Sequence, residues 1–150
     1  MNSTAADLSR FGTELAGVPV LMPAGIALEF VPAAGVHPLP LAPRRVRGLM
    51  QLRGQPLLVI DPADPAAPGQ GPATTTAGVS VLVVGTPPEA AALVVPAAPR
   101  AVRITAPVPA RAPRCGFADA LGTAHADAAR AGGFWFDVDP EQLFAALMRD

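Results

Sequence analysis

The side chains able to do chemistry are few, and most stand alone. Cys115, His37 and His125 with an aspartate would assemble, on paper, a nucleophile and its base. Cys115 follows the Pro/Arg segment Arg111-Ala112-Pro113-Arg114, which has none of the local flanks of a nucleophile motif. A half-buried or surface thiol is the plainer reading. Two histidines and one cysteine, widely separated, also lack the spacing of a metal site. Asp137 and Asp139, two apart, could work as acid and base or hold a cation. Asp139 is better read as a helix cap, because Pro140 and Glu141 follow it. Gly69-Gln70-Gly71 lacks the lysine and the strand–helix context of a phosphate loop.

Arg53 is the richer candidate. It lies between the apolar run Val46 to Leu52 and Gly54, at a predicted bend between two strands. A guanidinium held there can make bidentate bonds to a carboxylate or a backbone. Two readings stand side by side. In one, Arg53 faces a partner protein. In the other it pairs internally, with Asp61 or Glu29, and pins the fold.

The elements that must position these residues are short. The chain has 150 residues with 19 prolines and 14 glycines, which oppose long helices and favour strands joined by loops. Its 51% hydrophobic content predicts a globular core, though much of that share is alanine. Patterning predicts a hairpin of Thr13–Ala16 with Val18–Met22, and a strand or helical turn within Pro23–Val31. A Pro-punctuated loop over Pro32–Pro43 should lead into the Val46–Arg53 and Leu57–Ile60 strands. Strands over Val79–Val84, Glu89–Val95, Ala101–Ile104 and Phe134–Val138 follow, Trp135 pointing opposite to its neighbours. A terminal helix carries the stripe Leu143, Phe144, Leu147, Met148. The count is about eight strands in two groups, an all-β arrangement of small barrels or a sandwich. Residues 1–10 read as a flexible end and about 62–77 as a linker, with 11–150 as a single domain.

Charge is uneven under a net value of −1. Residues 44 to 114 hold eight arginines against Asp61, Asp64 and Glu89, while the tail from Asp119 holds six acids against Arg130 and Arg149. Few aromatics lie among the arginines, so acidic protein partners fit better than nucleic acid. The single cysteine excludes an internal disulfide and fits a reducing compartment. No signal pattern opens the chain and no apolar run reaches membrane-spanning length, so the expectation is a cytoplasmic protein without membrane insertion.

The central run LPLAPRRVRGLMQLRGQPLLVID, residues 39–61, resembles the signature of CheW-like proteins, adaptors that couple chemoreceptors to a histidine kinase. The matching pieces are Leu39-Pro40, Ala42-Pro43, Arg47-Gly48, Gln51-Leu52-Arg53-Gly54 and Val59-Ile60-Asp61. Leu21-Met22-Pro23 with Glu29 lies upstream, and FWFDVDPEQLFAAL closes the resemblance, which covers about residues 11 to 148. Gln51 replaces the usual asparagine, Pro96 replaces an aspartate common after Val-Val, and the linker lacks a basic segment. The Trp-containing end and the Leu-Pro-x-Ala-Pro wording look more like the branch that serves type IV pilus twitching motility.

The resemblance implies two intertwined five-stranded SH3-like barrels with a short C-terminal helix, no enzymatic activity and no cofactor. It implies two partners: the regulatory domain of a CheA-type histidine kinase, and the cytoplasmic tip of a methyl-accepting chemoreceptor. By position it places Gly48, Arg53 and Gly54 in the receptor-coupling region, with Glu29 nearby and Val95 as a groove candidate. Two alternatives accompany it: a kinase-binding regulator that contacts no receptor, and a small hydrolase using Cys115.

Overall fold

A computed structural model of the chain describes residues 9–63 and 78–149. Among the described residues, ten strands, one 3-10 turn and one helix follow in order. They are β1 (Ser9–Leu15), β2 (Val18–Leu21), β3 (Leu28–Ala34), β4 (Val46–Leu52), β5 (Gln55–Ile60), β6 (Val79–Val84), β7 (Ala91–Val94), β8 (Arg100–Val108), β9 (Leu121–Asp127), β10 (Phe134–Val138) and α1 (Pro140–Leu147).

Two five-stranded sheets form. The first closes into a barrel in the order β1-β2-β10-β9-β8. It is built from both ends of the chain, so it encloses the second in sequence: β3-β6-β7-β5-β4. The second sheet's ladder is open between β3 and β4, but His37, just past β3, exchanges two 2.8 Å backbone hydrogen bonds with Leu49 of β4. Each sheet contains one parallel pair, β10 with β2 and β5 with β7. The all-β fold of two intertwined five-stranded units with a terminal helix is therefore present.

Apolar periodicity explains why the units pack. Along β6, Leu82 and Val84 join one buried cluster while Val81 and Val83 join another. Along β10, Phe136 and Val138 enter the first cluster while Trp135 turns into a third with Leu21, Val102 and Ile104. The first cluster draws from both sheets, with Leu15 and Val20 meeting Leu82 and Leu93, and with Leu143 and Leu147 of α1 closing it. Successive strand residues point to opposite faces, so a strand buried on both sides reads as an unbroken apolar run. Val81-Leu82-Val83-Val84 and Leu57-Leu58-Val59-Ile60 are such runs.

Several boundaries differ from expectation. β1 begins at Ser9, within the segment expected to be loose, because Ser9 and Arg10 pair with Arg103 and Val102 of β8. β3 continues through Pro32 and Ala33, kept in the sheet by a register shift between Val31 and Ala34. β8 runs on to Val108, past the Ile104 end expected for that strand. β9, Leu-Gly-Thr-Ala-His-Ala-Asp, has almost no strand signal and is held by ladders to β8 and β10. At α1 the Asp139 carboxylate accepts from Gln142 N at 3.2 Å with Pro140 at the first turn, as the cap reading requires. The expected linker lies mostly outside the described residues, as does Gly69-Gln70-Gly71.

Candidate functional site

The β4–β5 hairpin turns on two residues, Arg53 with φ 47° and Gly54 with φ 81°. Positive φ at both central positions suits the right-handed twist of the flanking strands. Gly54 occupies that region without strain, whereas Arg53 needs it imposed by the hairpin. Leu52 pairs with Gln55 to close the turn.

From this bend the guanidinium reaches the next strand edge. Arg53 Nη2 donates to Glu29 Oε1 at 2.8 Å and Nη1 donates to Oε2 at 3.1 Å. Glu29 lies on β3, so a fork-to-fork bond spans the open side of the second sheet. The Arg53 side chain remains 69% exposed. Its hydrogen bonds hold the Glu29 carboxyl below the usual carboxylate range, and the same contact raises the Arg53 pKa. Beside the pair is a shallow cavity of about 120 Å³, lined by Leu28, Leu52, Val83, Thr86 and Pro87. The arrangement offers a preoriented, solvent-facing charge pair at an apolar edge. That suits recognition; it supplies no nucleophile or proton relay.

Arg53 thus makes the internal pair while its side chain stays exposed to solvent. The internal partner is Glu29. Asp61 is occupied elsewhere, accepting from Arg47 Nε at 3.1 Å and from Ala63 N at 3.0 Å.

Two other expected site residues sit differently. Val95 is 3% exposed and packs in the main core cluster. Both faces of its sheet are covered, so its side chain is not available to line a groove. Gly48 is buried at a register shift of β4, with φ 148°. A Cβ there would collide with the His37 carbonyl oxygen. Gly48 therefore lets the chain before β4 settle onto the strand, and it contacts that chain rather than a partner.

The remaining candidates separate. Cys115 shares a groove of about 500 Å³ with Arg44, Arg45, Arg114 and Pro62, and neither histidine lines it. Burial is the main influence on the Cys115 thiol and pushes its pKa up, the opposite of an activated nucleophile. His125 Nε2 lies 2.8 Å from Asp137 Oδ2, and Arg10 Nη1 lies 2.7 Å from Oδ1 of the same carboxylate. That trio ties β9, β10 and β1 together, which accounts for Asp137 without chemistry. Among the described residues no group of three His, Cys, Asp or Glu side chains could hold a metal, and no helix is long and apolar enough to cross a membrane.

Sequence reasoning missed two features. Arg45, counted with the basic surface, is 4% exposed and donates from Nη1 to Pro62 O at 2.6 Å. Leu41, in the Pro loop, stands fully in solvent with φ 58°. The only signal for either was position, one between arginines and the other between prolines.

Comparison with known proteins adds to this geometry. The family model described as CheW-like domain matches residues 12–147. Among solved structures, the scaffolding protein TtCheW from Thermoanaerobacter tengcongensis is similar, with a TM-score of 0.59 and 18% identity over 87% of this chain and 88% of that one. At that identity the likeness speaks for the fold. No curated protein matches.

Proposed function

The chain belongs to the CheW-like domain family, and from that premise we propose that it is a non-enzymatic adaptor coupling a chemoreceptor to a CheA-type histidine kinase. Signal passes through contacts held in fixed geometry, with no turnover of its own. The observation that carries this reading is the Arg53–Glu29 pair, bidentate yet open to solvent. The guanidinium stays at the surface beside a small cavity of mixed polar and apolar lining, where a partner's carboxylate could meet it. We assign the Arg53 end to the receptor tip and the kinase regulatory domain to another face. The Leu39-Pro40-Leu41-Ala42-Pro43 wording and Trp135 favour the twitching-motility branch of such pathways.

Arg53→Glu tests the assignment. The variant places two carboxylates side by side at an exposed turn, which the fold tolerates, and it reverses the charge a partner would meet. The expected result is an unchanged circular-dichroism spectrum with loss of receptor control over kinase activity in a reconstituted assay. An unfolded variant would make Arg53 a pin and remove the site. Binding of wild-type protein to kinase but not to receptor tips would instead support a kinase regulator.

A further inference from the structure

The first unit holds a cavity of its own, away from the Arg53 turn. It measures about 370 Å³ and lies between the start of β8 and the turn that joins β9 to β10. Arg100, Val102 and Arg103 line it from β8; Asp127, Ala128 and Ala129 line it from the turn. That volume falls within the range of small-molecule sites, about 300–1,000 Å³.

The two sides are fixed to each other. Ala128 N donates to Arg103 O at 2.8 Å, Asp127 N to Gly133 O at 2.9 Å, and Gly133 N to Arg130 O at 3.0 Å. Asp127 commits both carboxylate oxygens locally. Oδ1 accepts from Ala129 N at 2.8 Å and Oδ2 accepts from Trp135 Nε1 at 3.0 Å. Those bonds, Trp135 first, hold the Asp127 carboxyl below the usual carboxylate range.

Charge here is out of balance. Arg100 and Arg103 line the cavity, and Arg130 with Arg100 acts on Asp127, so three guanidinium groups stand against one carboxylate. Among the described residues, no carboxylate lies within ion-pair distance of Arg100 or Arg130. An anion entering the cavity would relieve that surplus.

Arg100 adds a second feature. Its guanidinium carbon stands 5.6 Å from the centroid of the Trp135 ring, and Trp135 is buried and held through Nε1. A planar guanidinium backed by an indole can stack on a flat ring as well as bond an anion. Val102, Ala128 and Ala129 leave an apolar lining of small side chains beside it.

We propose that this cavity binds a nucleoside monophosphate, with the phosphate on the arginines and the base against Arg100 and the small apolar lining. The proposal is independent of the adaptor reading, since the cavity belongs to the first unit and Arg53 to the second.

Titration calorimetry of the full chain with AMP, adenosine and inorganic phosphate tests it. Trp135, the chain's single tryptophan, reports locally by its fluorescence. AMP should saturate the site below about 1 mM and change Trp135 emission, while adenosine and inorganic phosphate should each bind at least about tenfold more weakly. Arg103→Ala and Arg130→Ala should each weaken AMP binding by about tenfold. Both residues are exposed, so these variants change binding without loss of fold. Arg100→Lys keeps the charge but loses the planar fork, and should bring AMP affinity down to that of inorganic phosphate. Arg111→Ala removes an exposed arginine outside the cavity and should leave AMP affinity within about twofold. No AMP binding below about 1 mM, equal affinity for AMP and inorganic phosphate, or an equal loss in Arg111→Ala and Arg103→Ala overturns the proposal. None of those results bears on receptor control through Arg53.

Discussion

The β1–β2 and β4–β5 hairpins turn on nearly the same backbone. Ala16 and Gly17 have φ of 51° and 82°; Arg53 and Gly54 have 47° and 81°. One turn carries a methyl group at the rim of the arginine groove, the other a guanidinium bound to Glu29. The left-handed first position is therefore imposed by a two-residue hairpin and is no mark of function. What distinguishes the second turn is the side chain it carries and the carboxylate set across from it.

The strands behind the two turns differ in a way that should yield the largest effects. Gly12 of β1 lies against the Trp135 ring, where a Cβ would sit 2.8 Å from the nearest ring atom. Gly48 of β4 lies against backbone, at positive φ. A ring can shift slightly inside its cluster, but a carbonyl held by the His37–Leu49 bonds cannot move without breaking them. Gly48→Ala should thus destabilise by about 3 kcal/mol or more, combining backbone strain and a steric clash. Gly12→Ala should cost about 1–3 kcal/mol by overpacking. Urea unfolding of both variants decides the order. Equal losses would mean that the chain at His37 and Pro38 does not press onto β4.

How much of this was legible in the residues themselves follows from the same comparison. Arg53-Gly54 announced itself because a short bend between two apolar strands needs glycine at its second position. Glu29 was visible as one of two carboxylates able to answer the arginine; only the β3–β6 ladder, which fixes β3 at one edge of its sheet, and the return of β4 beside it selected it over Asp61. Val95 was misread because an apolar run at a sheet looks like an accessible edge until the second unit covers it. β9 was nearly invisible, since Gly122, Thr123 and Ala124 have no alternating apolar signal and owe their conformation to neighbouring strands. Arg45 looked like its exposed neighbours, and its burial against Pro62 depends on how the chain leaves β5.

A smaller effect separates turn geometry from display. Asparagine is the favoured residue ahead of glycine in such turns. Ala16→Asn should therefore raise stability by about 0.5 kcal/mol with no loss of coupling. Arg53→Asn relieves the same backbone but deletes the guanidinium. It should leave the melting temperature near that of the wild type while abolishing receptor control. Thermal melts paired with a reconstituted kinase assay check both. If Arg53→Asn still couples, the turn alone is the signal and the comparison of side chains is mistaken.

The smallest effect is also the most diagnostic of what the Arg53–Glu29 pair is for. Hydrogen bonding from Arg53 comes first among the influences on Glu29 and lowers its pKa, outweighing the upward push of desolvation. A carboxyl whose folded pKa lies below its unfolded value contributes stability above the unfolded value, about 4.3, and loses it as pH falls through the folded one. Arg53 stays charged throughout, so the whole change belongs to Glu29. Melting temperatures of wild type and Glu29→Gln should differ slightly at neutral pH and low salt, then converge in acid. Added salt should shrink the neutral difference, because an exposed pair is readily screened. A difference that persists in high salt would show a pair anchoring the sheet. A difference that vanishes leaves the carboxylate one role, which is to aim the guanidinium, and then Glu29→Gln should loosen receptor coupling far more than it loosens the fold.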